Sequence, residues 1–217
     1  MDETNLYADT VADVLELEEI DRNLFRGRNA ATARDRRHLY GGQVAAQALK
    51  AAGLTVAPDR WPHSLHGYFL RPGRVDRAVI LRVDPDRDGR SFSGRHVSAI
   101  QDGEVIFSML ASFHRAENQD VVDAMSDHHV PGPPMGETPE FRDPMVDHQE
   151  VSDPVVLDSG THPSTASWLR TAHPLPDDAL SQAGGLVYLS DFGGGFGRMG
   201  SVVGTGGPSL DHAMWFH

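Results

Sequence analysis

The 217-residue chain contains no cysteine, which excludes disulfides, thiolate metal sites and a cysteine nucleophile. Its basic side chains are arginines apart from Lys50, a skew we attribute to codon usage rather than to physics. No apolar run approaches the ~18 residues that a helical membrane span requires. Positive charge is also scarce: the net charge is −12, which argues against nucleic acid and anionic membrane surfaces as main partners. A local basic pocket for a phosphorylated ligand remains compatible with that balance. The opening MDETNLYADT is acidic, unlike a signal peptide, so a cytoplasmic location is the expectation.

What is present is enough apolar material, 39% of residues, for one large domain or two small ones. The most informative stretch is YGGQVAAQALKAAG, residues 40–53. Val44, Ala45, Ala48, Leu49 and Ala52 fall at helical spacing, and the opposite face carries only Gln47 and Lys50. Such a small-sided helix suits burial against a close sheet. Gly41 and Gly42 stand at its start, and Gly53 stands where a left-handed cap is expected.

Residues 7–20 read as a short amphipathic surface helix, and Asn23–Arg28 as a first strand. Past the central helix come four strand-like runs, Ser64–Leu70, Ala78–Val83, Ser91–Ile100 and Glu104–Phe113. Arg71-Pro72-Gly73, Pro85–Gly89 and Gln101-Asp102-Gly103 are the turn signals between them. The expected architecture is α+β, with a helix near 42–52 wrapped by an antiparallel sheet over about residues 21–115. Residues 116–160 lack periodicity and are rich in proline, aspartate and histidine, as in a linker. His128 and His129 within it read as solvated rather than as metal ligands.

Beyond the linker the first pattern restarts over 161–217. Ser167–Thr171 is a second opening strand, Pro176-Asp177-Asp178 starts a second helix, and Leu210–Phe216 repeats the strand at Leu65–Leu70. The interval from Gln43 to Phe69 equals that from Asp191 to Phe216 to within one position, so an internal repeat is the simplest account. The second copy stops before the counterparts of three further strands. Apolar surface around Leu186, Val187 and Trp215 is therefore expected to lie uncovered unless a partner chain covers it.

The segments LFRG, YGGQVAAQAL, HSLHGYFLRPG, RDGRSFSGRHV, IQDGEVIFSMLASF, SDF and LDHAMWFH occur in one order that resembles the type II acyl-CoA thioesterases. The likeness runs from about Val11 to His217 and implies a double hotdog whose second unit is incomplete. It also implies hydrolysis of fatty acyl-CoA thioesters, no metal or redox cofactor, and homo-oligomers. By that resemblance Asp191 stands at the family's catalytic aspartate and Ser209 at its threonine, a change that keeps the hydroxyl. The family's third water-orienting group, a glutamine, has no counterpart in this sequence, and Gly193–Gly197 is richer in glycine than the family pattern. A chain lacking the glutamine strand is open to a second reading, a catalytically impaired acyl-CoA-binding or oligomer-forming relic.

A carboxylate base, a hydroxyl that orients water, and N–H groups at a helix start are the parts that thioester hydrolysis needs. Gly41, Gly42 and Gln43 at the first helix start are candidate substrate contacts, though close packing for the glycines and a buried turn bond for Gln43 explain them too. Arg71, Arg90 and Arg95 are candidate partners for the phosphates of CoA, against the plainer reading of strand-end arginines in water. The literal dinucleotide fingerprint Gly195-x-Gly197-x-x-Gly200 lacks a βαβ setting and is discounted. The acyl chain is expected in an apolar tunnel between the two copies, near Asp191 and Ser209.

Overall fold

The structure, a computed structural model, describes residues 6–115, 141–142, 144–150, 167–192 and 208–216. Its elements in chain order are β1 (Tyr7–Ala8), α1 (Val11–Val14), β2 (Glu18–Asp21), β3 (Leu24–Gly27), β4 (Asn29–Ala30), a 3-10 turn (Ala31–Asp35) and α2 (Gly41–Leu54). β5 (Arg60–Phe69), β6 (Val79–Asp88), β7 (Phe92–Gln101) and β8 (Glu104–Arg115) follow. The later part supplies β9 (Phe141–Arg142), β10 (Val146–Glu150), β11 (Ser167–Thr171), α3 (Ala179–Ser190) and β12 (Asp211–Trp215). Among the described residues no helix is long and apolar enough to cross a membrane.

One seven-stranded sheet runs β12-β5-β8-β7-β6-β3-β2, with every neighbouring pair antiparallel. Alternation puts Leu65, Leu81, Val83, Val97, Ala99, Met109, Ala111 and Phe113 into the core, as a half-buried sheet requires. α2 lies against that inner face and is buried along almost its whole length. The β7–β8 hairpin turns at Asp102 and Gly103 with φ of 50° and 82°, the left-handed pair that suits the twist of a tight hairpin.

α3 packs against α2 and runs antiparallel to it. Gly42 at the start of α2 meets Asp191 at the end of α3, and Lys50 near the other end donates to Ser181 Oγ at 2.9 Å. The small side chains of α2 are thus explained by two partners, a sheet and a helix. A Cβ on Gly42 would stand 2.5 Å from the Tyr188 carbonyl oxygen, and one on Gly53 would overlap Leu180.

Four expectations are corrected. Gly53 is not a left-handed cap: α2 continues to Leu54 and ends at Thr55 in the right-handed region, φ −102°, because Gly53 is kept small by α3. Residues 7–20 are helical only over Val11–Val14, capped by Thr10 accepting from the Asp13 N–H. Glu18–Asp21 instead pairs with β3, where Arg26 meets Glu18 at 2.6 Å. Of Pro85–Gly89 only Gly89 belongs to the turn, its N–H donating to the Phe92 carbonyl at 2.8 Å: β6 runs on to Asp88 across a bulge between Pro85 and Arg87, the device by which a strand absorbs a missing N–H. The expected linker at 116–160 contains β9 and β10, which form a three-stranded sheet with β11 and bury Met145 and Val146.

The uncovered surface is found in part. Leu186 and Trp215 are exposed, whereas Val187 is fully buried in the core. His128, His129, Gly193–Gly197 and the fingerprint at 195–200 lie outside the described residues.

Candidate active site

Asp178 caps α3 by accepting the Ser181 N–H at 2.9 Å, and the helix ends with Asp191 as its C-cap. The Asp191 side chain turns toward the start of α2, where its Oδ2 accepts the Gly42 N–H at 2.9 Å. Its Oδ1 accepts the Ser209 hydroxyl at 2.8 Å. Ser209 is held by the strand it precedes. β12 pairs with β5, and the Phe69 N–H donates to the Leu210 carbonyl at 2.9 Å. The carboxylate therefore sits at the N-terminal end of a 14-residue helix, where free N–H groups point at it.

The first glycine of the pair makes this approach possible. A Cβ on Gly41 would stand 2.7 Å from Asp191 Oδ2 and 2.9 Å from Phe69 Cζ. Tyr40, just before it, donates its hydroxyl to the Tyr188 carbonyl at 2.6 Å and packs edge-on to that ring. Ser190 Oγ contacts His212 Nε2 at 2.9 Å while donating to the Val187 carbonyl, which ties the end of α3 to β12. Tyr40 and His212 thus fasten the end of α3 that carries Asp191.

A cavity of about 730 Å³ opens beside this junction. Asp191, Ser209 and Gly41 line it together with the apolar Val44, Phe69, Ile106, Phe107 and Leu210, and Arg36, His38 and Arg71 lie along its exposed wall. Arg71 also pairs with Glu104 at 3.0 Å and donates to the Val105 carbonyl. Among the described residues no cluster of histidine and carboxylate side chains can hold a metal.

Of the residues singled out in the sequence, the structure brings Asp191, Ser209, Gly41 and Arg71 to one cavity, with Gly42 contributing its N–H. Gln43 turns away: fully buried, it accepts the Ala30 N–H at 2.9 Å and donates to Asn29 Oδ1. Arg90 is exposed on the β6–β7 turn, where its carbonyl accepts from Arg60. Arg95 is buried at the far end of α2, donating to Thr55, Arg87, Gly94 and Asp88. The repeat also has another register than the interval suggested. Asp191 is the C-cap of α3 as Thr55 is of α2, so Thr55 rather than Gln43 is its counterpart. Sequence reasoning missed Tyr40, Phe69, Arg36 and His38. The available signal was an aromatic directly before a glycine pair, in an arginine-rich connection.

The match of residues 30–114 to the family model for the acyl-CoA thioesterase N-terminal domain covers α2 and β5–β8. Acyl-CoA thioesterase 2 of Haemophilus influenzae is 33% identical over 238 residues, covering 94% of this chain and 79% of that protein. This chain belongs to the acyl-CoA thioesterase family. Among solved structures, the acyl-CoA thioesterase II TesB2 of Mycobacterium marinum is similar with a TM-score of 0.74 at 36% identity, over 95% of this chain and 78% of that one. A conserved protein with a hot dog fold from Alicyclobacillus acidocaldarius gives a TM-score of 0.62 at 26% identity, over 83% and 68%; the fold here is α+β of that hotdog type. Against the acyl-coenzyme A thioesterase 8 of Rattus norvegicus, 37% identical over 152 residues, the match covers 70% of this chain and 44% of that protein. The chain thus spans less than half the length of that relative.

Proposed function

We propose that this chain hydrolyses acyl-CoA thioesters to free acid and CoA. The observation that carries the reading is a carboxylate, Asp191, on the wall of a large, partly apolar cavity, oriented by Ser209 and by the start of α2. In this reading Asp191 takes a proton from a water molecule as the water oxygen attacks the thioester carbonyl carbon. Ser209 donates to Asp191, and its oxygen can accept from the same water. The positive end of α2 lies where negative charge grows on the carbonyl oxygen. Collapse breaks the carbon–sulfur bond, and the departing thiolate takes up a proton to give CoA.

The cavity divides the substrate by chemistry. Val44, Phe69, Ile106 and Phe107 suit the acyl chain, while Arg36, His38 and Arg71 face the anionic part of CoA. Such a local cationic wall is compatible with a chain of net charge −12. The test is thiol release from a series of acyl-CoA thioesters, run beside calorimetric binding of the same compounds. Turnover with binding supports the reading. Binding with no thiol release would replace it with that of an acyl-CoA-binding protein.

A further inference from the structure

Among the described residues, three elements close the cavity beside Asp191 at one level. On α2 the lining residues are Gly41 and Val44, one helical turn or about 4.5 Å apart. Ala45, Ala48 and Leu49, the next residues along that helix, are fully buried. On β5 the lining includes Phe69 and does not extend to the buried Leu65. On β8 it includes Phe107 and stops before the buried Met109. Val44, Phe69 and Phe107 form a floor beneath the carboxylate.

Phe69 and Phe107 oppose each other across the β5–β8 ladder. Their rings lie 4.7 Å apart between centroids at 36°, a packed cross-strand aromatic pair. Phe69 is half-buried and forms the upper surface, with the fully buried Phe107 behind it. A glycine supports the pair from below. A Cβ on Gly67 would overlap Phe107 Cζ and stand 2.8 Å from Cε2, so the ring lies where a side chain would otherwise be. At the other end the Phe69 ring reaches Gly41, where a Cβ would stand 2.9 Å from Phe69 Cζ. Two rings thus bridge two glycines, one inside the sheet and one beside Asp191.

We infer, resting on the thioesterase reading of this cavity, that the Phe69–Phe107 pair gauges acyl length and selects short straight chains over long fatty ones. With the carbonyl at Asp191, the acyl chain runs past Val44 and meets the Phe69 ring after about one helical turn. Further carbons must displace both rings, and a close-packed interior resists such insertion. The strand ends cannot spread to admit them. The Leu70 and Arg71 N–H groups both donate to the Ile106 carbonyl, at 2.9 and 3.2 Å, which ties β5 to β8 beside the pair. The coenzyme lies on the other side, along Arg36, His38 and Arg71, where the cavity opens to solvent. Gly67 is a positioning residue: it touches no substrate, and it sets how far Phe107 withdraws.

The test is kcat/KM for acetyl-, butanoyl-, hexanoyl-, octanoyl- and palmitoyl-CoA, beside calorimetric binding of the corresponding thioethers, which cannot be hydrolysed. The readout is the octanoyl-to-butanoyl ratio within each protein, which cancels any loss common to both substrates. The wild type should prefer butanoyl or hexanoyl and fall at least about tenfold at palmitoyl. Phe107→Leu and Phe69→Leu lower the floor from two strands, and each should raise the ratio about tenfold. Gly67→Ala drives Phe107 toward the cavity and should lower it. Leu110→Ala, exposed on the outer side of β8, is the control and should leave it unchanged. If Gly67→Ala fails to fold, the two leucine variants decide alone. A wild-type ratio in both folded leucine variants, or a wild type that handles palmitoyl-CoA as well as butanoyl-CoA, would overturn the gauge. Should no thioester be cleaved, the same order of thioether affinities upholds the gauge while the hydrolase reading falls. Affinities that are flat or undetectable across the series overturn it.

Discussion

At one end of the helix pair α3 stops at Asp191 beside the start of α2. At the other end α2 stops at Thr55, near the start of α3. The local geometry is alike: both C-caps lie in the right-handed region, with ψ of −3°. The finish differs. Around Asp191 the first two glycines of α2 keep space, Ser209 and an N–H hold the carboxylate, and a cavity opens beside it. Around Thr55 the space is filled by Arg95, whose guanidinium donates to Thr55 Oγ1 and to its carbonyl at 2.9 and 3.0 Å, then to Asp88 at 2.8 Å. A repeated helix packing thus yields two similar junctions. One holds a charged group at the edge of a cavity, and the other uses a charged group to seal the core.

The strongest way to break the comparison is to remove the seal. Arg95→Ala should cost about 3 kcal/mol or more, because buried donors vanish and Thr55 and Asp88 lose their partner. Denaturant melts would measure this, while kcat per folded molecule should stay near the wild-type value. Filling the opposite junction should do the reverse. In Gly41→Ala the new methyl displaces Asp191 or the Phe69 ring, and a shift of about 1 Å can cost roughly 10²-fold in turnover. Folding stability, read from thermal melts, should change little beside that.

Ser209→Ala removes one of two donors to Asp191 while leaving the Gly42 N–H in place. About a tenfold fall in kcat is expected, with KM nearly unchanged. The smallest effect is electrostatic. The Arg95 hydrogen bond, followed by that from Ser93, holds the Asp88 carboxyl below its ordinary value of 3.8. A carboxylate with a lowered folded pKa stabilises the protein above its unfolded pKa, and that contribution is lost as pH falls through the folded value. Asp88→Asn should therefore lower the melting temperature slightly at about pH 6, by a difference that shrinks as pH falls through the lowered folded value. A difference that persists in acid would place the cost outside the Arg95 pair.

Much of this was legible in the sequence, for reasons that differ by residue. The central helix was readable because its apolar spacing and alanine content leave few other fates. β5, β7 and β8 were readable from alternation and from Asp102-Gly103 between two apolar runs. Asp191 and Ser209 were named through family likeness, and no spacing rule would have paired side chains 18 positions apart. Gly53 and Pro85 misled because local signals name a cap and a turn, while the deciding contacts were Leu180 and a bulge. β9 and β10 were hidden because their residues alternate too weakly, among prolines and acids, to show a strand before its partner is known. Arg95 shows the limit most plainly. An arginine in a strand reads as solvated or ligand-facing, and only the position of Thr55 reveals a buried structural role.

The account turns on Asp191, and one substitution tests it. Asp191→Asn keeps the shape of the cavity and the helix end but removes the charge that would draw a proton from water. Its kcat on an acyl-CoA thioester should fall by about 10²–10⁴-fold, while calorimetric binding of the same compound changes by only a few fold. Turnover equal to the wild type in a folded Asp191→Asn protein would contradict the assignment of the cavity at the end of α3 as the catalytic site.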